Sequence, residues 1–197
     1  MSETSLNSRV AFVAAPLLVL AYGVIRILDG LDGSRGPGLA WTTGHLAFVA
    51  AMLLFVSTFV QMRRMAGRTT LSTVSATAGI LGIAALITQF TIDMVVGFMS
   101  PDHAHMGELF ERIQSVPGVL ILVYTGVPLL FYVGQLAIVV QLAAQGRVKA
   151  WTPLLVLLDL VLPLVDKDLI PIGALCLLAS FAPLAGQVSR TARPVSV

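Results

Sequence analysis

The chain has very little sulfur chemistry to offer, with one cysteine, Cys176, in 197 residues. That excludes an intramolecular disulfide, a CxxC redox pair and a cysteine-rich metal site, and leaves Cys176 as a small residue in an apolar run. Charge is scarce as well. Asp, Glu, Lys and Arg together make up 11% of the chain, where an ordinary soluble domain carries about 25%. The net charge of +2 is too small to point to nucleic acid. No phosphate-binding loop, nucleophile elbow or zinc-protease signature occurs. What is abundant is apolar: 57% of the residues are hydrophobic, the composition of an integral membrane protein.

Crossing about 30 Å of hydrocarbon takes roughly 20 helical residues. Six apolar stretches approach that length: Arg9–Leu28, Trp41–Gln61, Val74–Met99, Pro117–Leu142, Trp151–Val165 and Leu169–Val188. They predict an all-α, single-domain polytopic bundle over residues 1–197. The fifth stretch is short. The first lacks a small-x-small cleavage pattern before "LDGLDGSRGPG" and reads as a retained helix, not a signal peptide. Basic residues cluster in "QMRRMAGR", in "QGRVKA" and in the tail at Arg190 and Arg193, all on one side of a six-span chain. The other side carries the acidic "LDGLDGSRG", "SPDHAHMGELFERIQS" and "VDKDL". By the positive-inside rule both termini are expected in the cytoplasm, with the protein in the cell membrane.

Polar residues inside the spans are few and grouped. In span three Gly82, Gln89, Asp93 and Gly97 are spaced 7, 4 and 4 and share one helical face. Span one offers Tyr22, Arg26 and Asp29, span two His45 beside Trp41, span four Tyr124, Tyr132 and Gln135, and span five Asp159 with Asp166 seven residues on. A buried carboxylate must be paired or protonated, and Arg26 and His45 are the cationic groups at Asp93's depth. Asp93 is therefore expected to face the bundle interior, either as a structural partner of Arg26 or as a functional acid. Trp41 and Trp151 read most simply as interfacial anchors, and the tyrosines as helix-packing residues.

One connection has a pattern of its own. Met106, Leu109, Phe110 and Ile113 fall at i, i+3, i+4 and i+7, with Asp102 placed to cap the first turn. This predicts a short amphipathic interfacial helix between spans three and four, lying as a lid over the polar cluster. His103 and His105, two apart, do not share a helical face and lack a fixed third ligand, so no metal is expected. A lone in-span histidine, His45, argues against haem, and no cofactor is expected.

On "WTTGHLAFVAAMLLF", "TQFTIDMVVG", "GVPLLFYVGQLAIVVQL" and "WTPLLVLL" the chain resembles a broad group of uncharacterised six-span bacterial integral membrane proteins. That likeness covers most of the chain and implies a fold without implying an activity. Its embedded acids give a weaker likeness to the small integral-membrane terpene cyclases, which protonate an alkene or epoxide from a membrane-buried carboxylic acid. That resemblance implies Asp93 and Asp159 as the acids. The chain departs from it in having six spans where those have seven, and no Glu in span two.

Three functions remain open from the residues. The first is a membrane-embedded enzyme acting on a lipophilic substrate, an isoprenoid among them, with Asp93, Asp159 and His45 as catalytic groups. Tyr22, Arg26, Gln89, Phe90, Tyr124 and Tyr132 would then contact substrate, the aromatic rings facing positive charge. The second is a proton- or ion-coupled transporter using Asp93, Asp159 and His45 as a relay. The third is a non-catalytic accessory protein. Expected partners are a lipophilic small molecule and the lipid bilayer, without nucleic acid and with a homo-oligomer left open.

Overall fold

A computed structural model describes residues 3–191, with side chains from Arg9 to Val188; the basic tail residues Arg190 and Arg193 lie outside these described side chains. The described residues fold into seven α-helices: α1 Glu3–Asp29, α2 Leu39–Met65, α3 Thr70–Met99, α4 His103–Gln114, α5 Gly126–Ala144, α6 Thr152–Val165 and α7 Ile170–Thr191. A π-helical turn, Leu120–Thr125, leads into α5, and a 3-10 turn, Lys167–Leu169, leads into α7. Five segments are long and apolar enough to cross a membrane, those of α1, α2, α3, the joined π turn and α5, and α7, which marks a multi-pass membrane protein. Helix α6 has 14 residues, or about 21 Å at 1.5 Å per residue. It is apolar but falls short of a full crossing on its own.

Local chemistry sets several of these ends. The Thr69 hydroxyl accepts the Ser72 N–H at 3.1 Å and starts α3. The Asp102 carboxylate accepts the His105 N–H at 2.8 Å and starts α4. Within α6, Pro163 has no N–H to give to the carbonyl of Asp159, four residues earlier.

Six of the helices close a ring in chain order. Helix α1 packs on α2 and α7, α2 on α3, α3 on α5, α5 on α6 and α6 on α7, while α4 stays outside. Helices α2 and α5 also touch across the centre, and the α5–α6 seam is the sparsest in the ring. The closest approach is between α3 and α5. A side chain at Gly82 would run into the backbone of Phe131, and one at Gly134 into the backbone of Gly79. Small residues let two membrane helices meet backbone to backbone where lipid gives no hydrophobic push.

The ring has two unlike ends. At one, the Arg35 guanidinium reaches Asp168 and the His103 ring meets the Arg35 carbonyl, joining the α1–α2, α3–α4 and α6–α7 connections. At the other, Gln145 donates to the Ala66 carbonyl at 3.2 Å and the Gln187 amide donates to the Arg147 carbonyl. Toward the Ala66 end aromatic rings pack in the centre of the bundle. Phe55 stands 5.1 Å from Phe131 and 6.1 Å from Phe181, and Phe181 stands 5.4 Å from Phe12, ring centre to ring centre. Outward-facing Leu53, Leu81, Val133 and Leu175 are more than half exposed, as expected of a surface that meets hydrocarbon.

Helix α4 forms over the residues whose pattern predicts it; none of its residues lines the large cavity, while its Phe110 ring stands 6.4 Å from Trp41 on α2. Met106 is buried, and Leu109 and Ile113 line an apolar groove against Ile92, Val95 and Met99 on the outside of α3. The short link after Ser100 folds the helix back against α3, where part of its apolar face finds cover.

Candidate functional site

Toward the Asp168 end the ring is hollow. Asp93 on α3, His45 on α2 and Tyr22 on α1 each sit six or seven residues inside their helix ends there, about 9–11 Å deep at 1.5 Å per residue. Gln89 and Asp93 face inward because α3 turns its Gly82 side to α5 and its Gly97 side to α2. A Cβ at Gly97 would lie 2.9 Å from the Trp41 indole, so glycine leaves the slot that the indole fills. From that slot the indole N–H donates to the Asp93 carbonyl at 3.0 Å.

The Asp93 carboxylate is 8% exposed as a residue and has two partners. The Tyr124 hydroxyl, presented by the π turn, donates to one oxygen at 3.3 Å. The other oxygen lies 3.7 Å from Nε2 of His45. His45 Nδ1 is 2.7 Å from the Trp41 carbonyl. A carbonyl can only accept, so Nδ1 carries a hydrogen and Nε2 is the nitrogen left to exchange a proton with Asp93. Asp93 and Nε2 of His45 are thus placed to pass a proton between them.

Aromatic rings enclose this pair. The His45 ring centre is 4.1 Å from Trp41, 4.9 Å from Phe90 and 6.0 Å from Tyr22. Phe48 stacks on Phe90 at 4.0 Å. Ring faces of this kind stabilise a cation, whether the imidazolium or a positively charged ligand.

A cavity of about 300 Å³ opens beside the pair, and Asp93 and His45 form part of its wall. Tyr22, Arg26, Gln89, Phe90, Tyr124 and Tyr132 all line it. Asp159 does not. It is buried at the edge of a second, inner chamber of about 40 Å³ with Met52, Phe55 and Tyr132, its carboxylate against Gly173 of α7. The expected grouping of Asp159 with Asp93 and His45 in one site is corrected accordingly: α6 touches only α5 and α7 substantially, so its carboxylate enters behind Tyr132. The two spaces share Phe48, Tyr132, Pro163 and Ile170 as a common partition.

Arg26 is not the partner of Asp93. Its Nε stands 3.6 Å from Asp168, which Arg35 holds with both carboxylate oxygens at 2.8 and 2.9 Å. These residues are 133 apart in sequence for the Arg35–Asp168 pair, and no local pattern announces them. Lys167 also lines the cavity unforeseen. The Trp41 contact had a visible signal, the i, i+4 spacing to His45, which an anchoring role alone does not require. Among the described residues, no three His, Cys, Asp or Glu side chains come together as a metal site. His103 instead turns Nδ1 to the Arg35 carbonyl at 2.6 Å. No protein-family model, curated protein or solved structure matches this chain.

Proposed function

We propose that the protein is a membrane-embedded enzyme that protonates a lipophilic substrate held in the cavity, with Asp93 as the acid. One observation carries this reading: a buried carboxylate linked to His45 and Tyr124 faces an aromatic-lined space of ligand size. Small-molecule sites typically enclose about 300–1,000 Å³, mostly apolar with a few convergent polar groups. The chemistry suits an alkene or an epoxide, as in an isoprenoid. For an alkene, the Asp93 proton and the π electron pair form a new C–H bond, leaving a cation on the neighbouring carbon. Faces of Tyr22, Phe90 and Tyr132 stabilise that cation. Loss of a proton from the adjacent carbon back to the Asp93 carboxylate closes the cycle, so the net change is an isomerisation or cyclisation with no cofactor. His45 keeps the acid supplied with its proton, and Tyr124 orients the carboxyl group.

The reading includes a placement. Helix α6 pairs with α7 as a sixth, short span, and both termini lie in the cytoplasm, as the basic α2–α3 and α5–α6 connections require. Helix α4 then lies in the outer interface of the cell membrane. The sparse α5–α6 seam, walled by Leu129 and Leu164 where it meets the cavity, is the route for a substrate dissolved in lipid.

The test is turnover in deuterated water. Purified protein in nanodiscs is given a panel of lipophilic alkenes and epoxides, and products are analysed for carbon-bound deuterium. Wild-type protein should label at least one of them, and Asp93→Asn should lose about 10²–10⁴ of the rate, the usual worth of a general acid. Equal labelling by Asp93→Asn would remove the proposal.

A second reading, a proton-coupled transporter, is favoured by Gln135. It is fully buried deeper in the bundle, and neither end of its amide has a hydrogen-bond partner. A path toward the Ala66 end would pass such a group.

A further inference from the structure

We propose that the cavity's ligand is an amphiphile with an anionic head group, seated on Arg26 and Lys167, with its apolar chain directed toward the inner chamber. The inference rests on the cavity being a binding site for a lipophile, and it adds the head group.

The argument is one of spare hydrogen-bond donors. Arg26 and Lys167 both line the large cavity, one from α1 and one from the turn before α7. The acids flanking Lys167 are already engaged. Asp166 accepts the Asp168 N–H at 2.9 Å and caps the turn. Asp168 is gripped through both oxygens by Arg35. Arg26 reaches Asp168 only at 3.6 Å, and its Nε is buried without a hydrogen-bond partner. Lys167 makes no ion pair among the described residues.

The remaining acids nearby do not close the gap. Asp93 faces the same cavity but is met by His45 and Tyr124. Asp29 lines a small pocket between α1 and α2, next to Arg26 and Arg35. Asp32 accepts from the Ser34 N–H at 3.1 Å in its own loop.

Two cations thus border one cavity, Arg26 part-buried with its Nε unbonded and Lys167 exposed. An arginine near a membrane surface ordinarily snorkels toward water or lipid head groups. Arg26 lies in the last turn of α1 with its side chain 18% exposed, paired with Asp168 along the cavity wall. A guanidinium and an ammonium lining one cavity suit a phosphate or carboxylate oxyanion. Below them the wall turns apolar and aromatic through Pro128, Leu129, Phe48 and Ile170. It ends at the partition shared with the inner chamber. A charged head above an apolar shaft fits a single-chain amphiphile better than a wholly apolar molecule or a free anion.

The test uses the full chain in zwitterionic-lipid nanodiscs. The chain has two tryptophans. In a Trp151→Phe background the fluorescence reports Trp41, which lines the cavity. Titrants are dodecyl phosphate, dodecanoate, dodecanol and inorganic phosphate. Dodecyl phosphate or dodecanoate should bind saturably and at least tenfold more tightly than dodecanol, and the tighter of the two identifies the head group. Lys167→Gln, an exposed loop change that leaves the Arg35–Asp168 pair intact, should erase a several-fold share of that preference without altering dodecanol affinity. Adding Arg26→Gln should erase the rest. Equal affinity for dodecanol and both anions overturns the head-group assignment and leaves the enzyme reading standing. Inorganic phosphate binding as tightly as dodecyl phosphate also overturns it, because the chain would then contribute nothing. No saturable response to any chain-bearing titrant overturns the cavity as a lipophile site, and both proposals fall together.

Discussion

Replacing Asp93 by Asn separates two accounts of this residue by their magnitudes. Asn keeps the shape, its Oδ1 can accept from the Tyr124 hydroxyl, now 3.3 Å away, and its amide can donate to His45 Nε2. Nε2 is free to accept because Nδ1–H is committed to the Trp41 carbonyl. The variant exchanges the contacts of a carboxyl group for those of an amide of the same shape, a difference of about 1 kcal/mol. For a chain of this length that is a melting shift of about 2–4 °C, by the scaling of soluble domains. Had Asp93 been the partner of Arg26, the same change would orphan a buried cation and cost roughly 3–5 kcal/mol. Arg26 is instead served by Asp168, so the small loss is expected, and Arg26→Gln should not rescue it. Thermal unfolding in a mild detergent, followed by circular dichroism, decides the matter. A drop well beyond 4 °C that Arg26→Gln partly restores would refute the pairing described here.

Further outcomes are expected elsewhere in the bundle. Gly82→Val should destabilise by about 1–3 kcal/mol or more, because the new side chain meets the Phe131 backbone, which cannot turn aside; a lowered melting temperature in detergent checks it. Gln135→Leu should leave stability unchanged or raise it, since both amide atoms are buried without partners and each such group costs about 1–3 kcal/mol. A clear loss of stability would show that the amide has a partner, and abolished ion movement in proteoliposomes would favour the transporter reading. A cysteine at position 105, in α4, should react with an impermeant thiol reagent added outside intact cells, whereas one at position 68 should react only after lysis. The reverse pattern would invert the proposed orientation.

Much of this protein is legible in one dimension. Long apolar runs force helices, because a backbone in hydrocarbon must satisfy its own hydrogen bonds. Capping residues such as Asp102, and the spacing of Met106, Leu109, Phe110 and Ile113, locate α4. A fixed rise per residue also gives depth, which groups Tyr22, Arg26, His45, Gln89, Asp93, Tyr124, Tyr132 and Asp159 from the sequence alone. Depth is not azimuth, however, and neighbours are chosen by which helices close the ring. That choice depends on where backbones can approach, as at Gly82 and Gly134 between α3 and α5. It seats Asp93 with His45 and Tyr124, and it passes Arg26 to Asp168, whose pair with Arg35 spans 133 residues. It also sets Asp159 behind Tyr132 in a chamber of its own. The sequence by itself determined which groups lie at one level of the bundle. Only the packing of six helices around a common centre decided which of them touch.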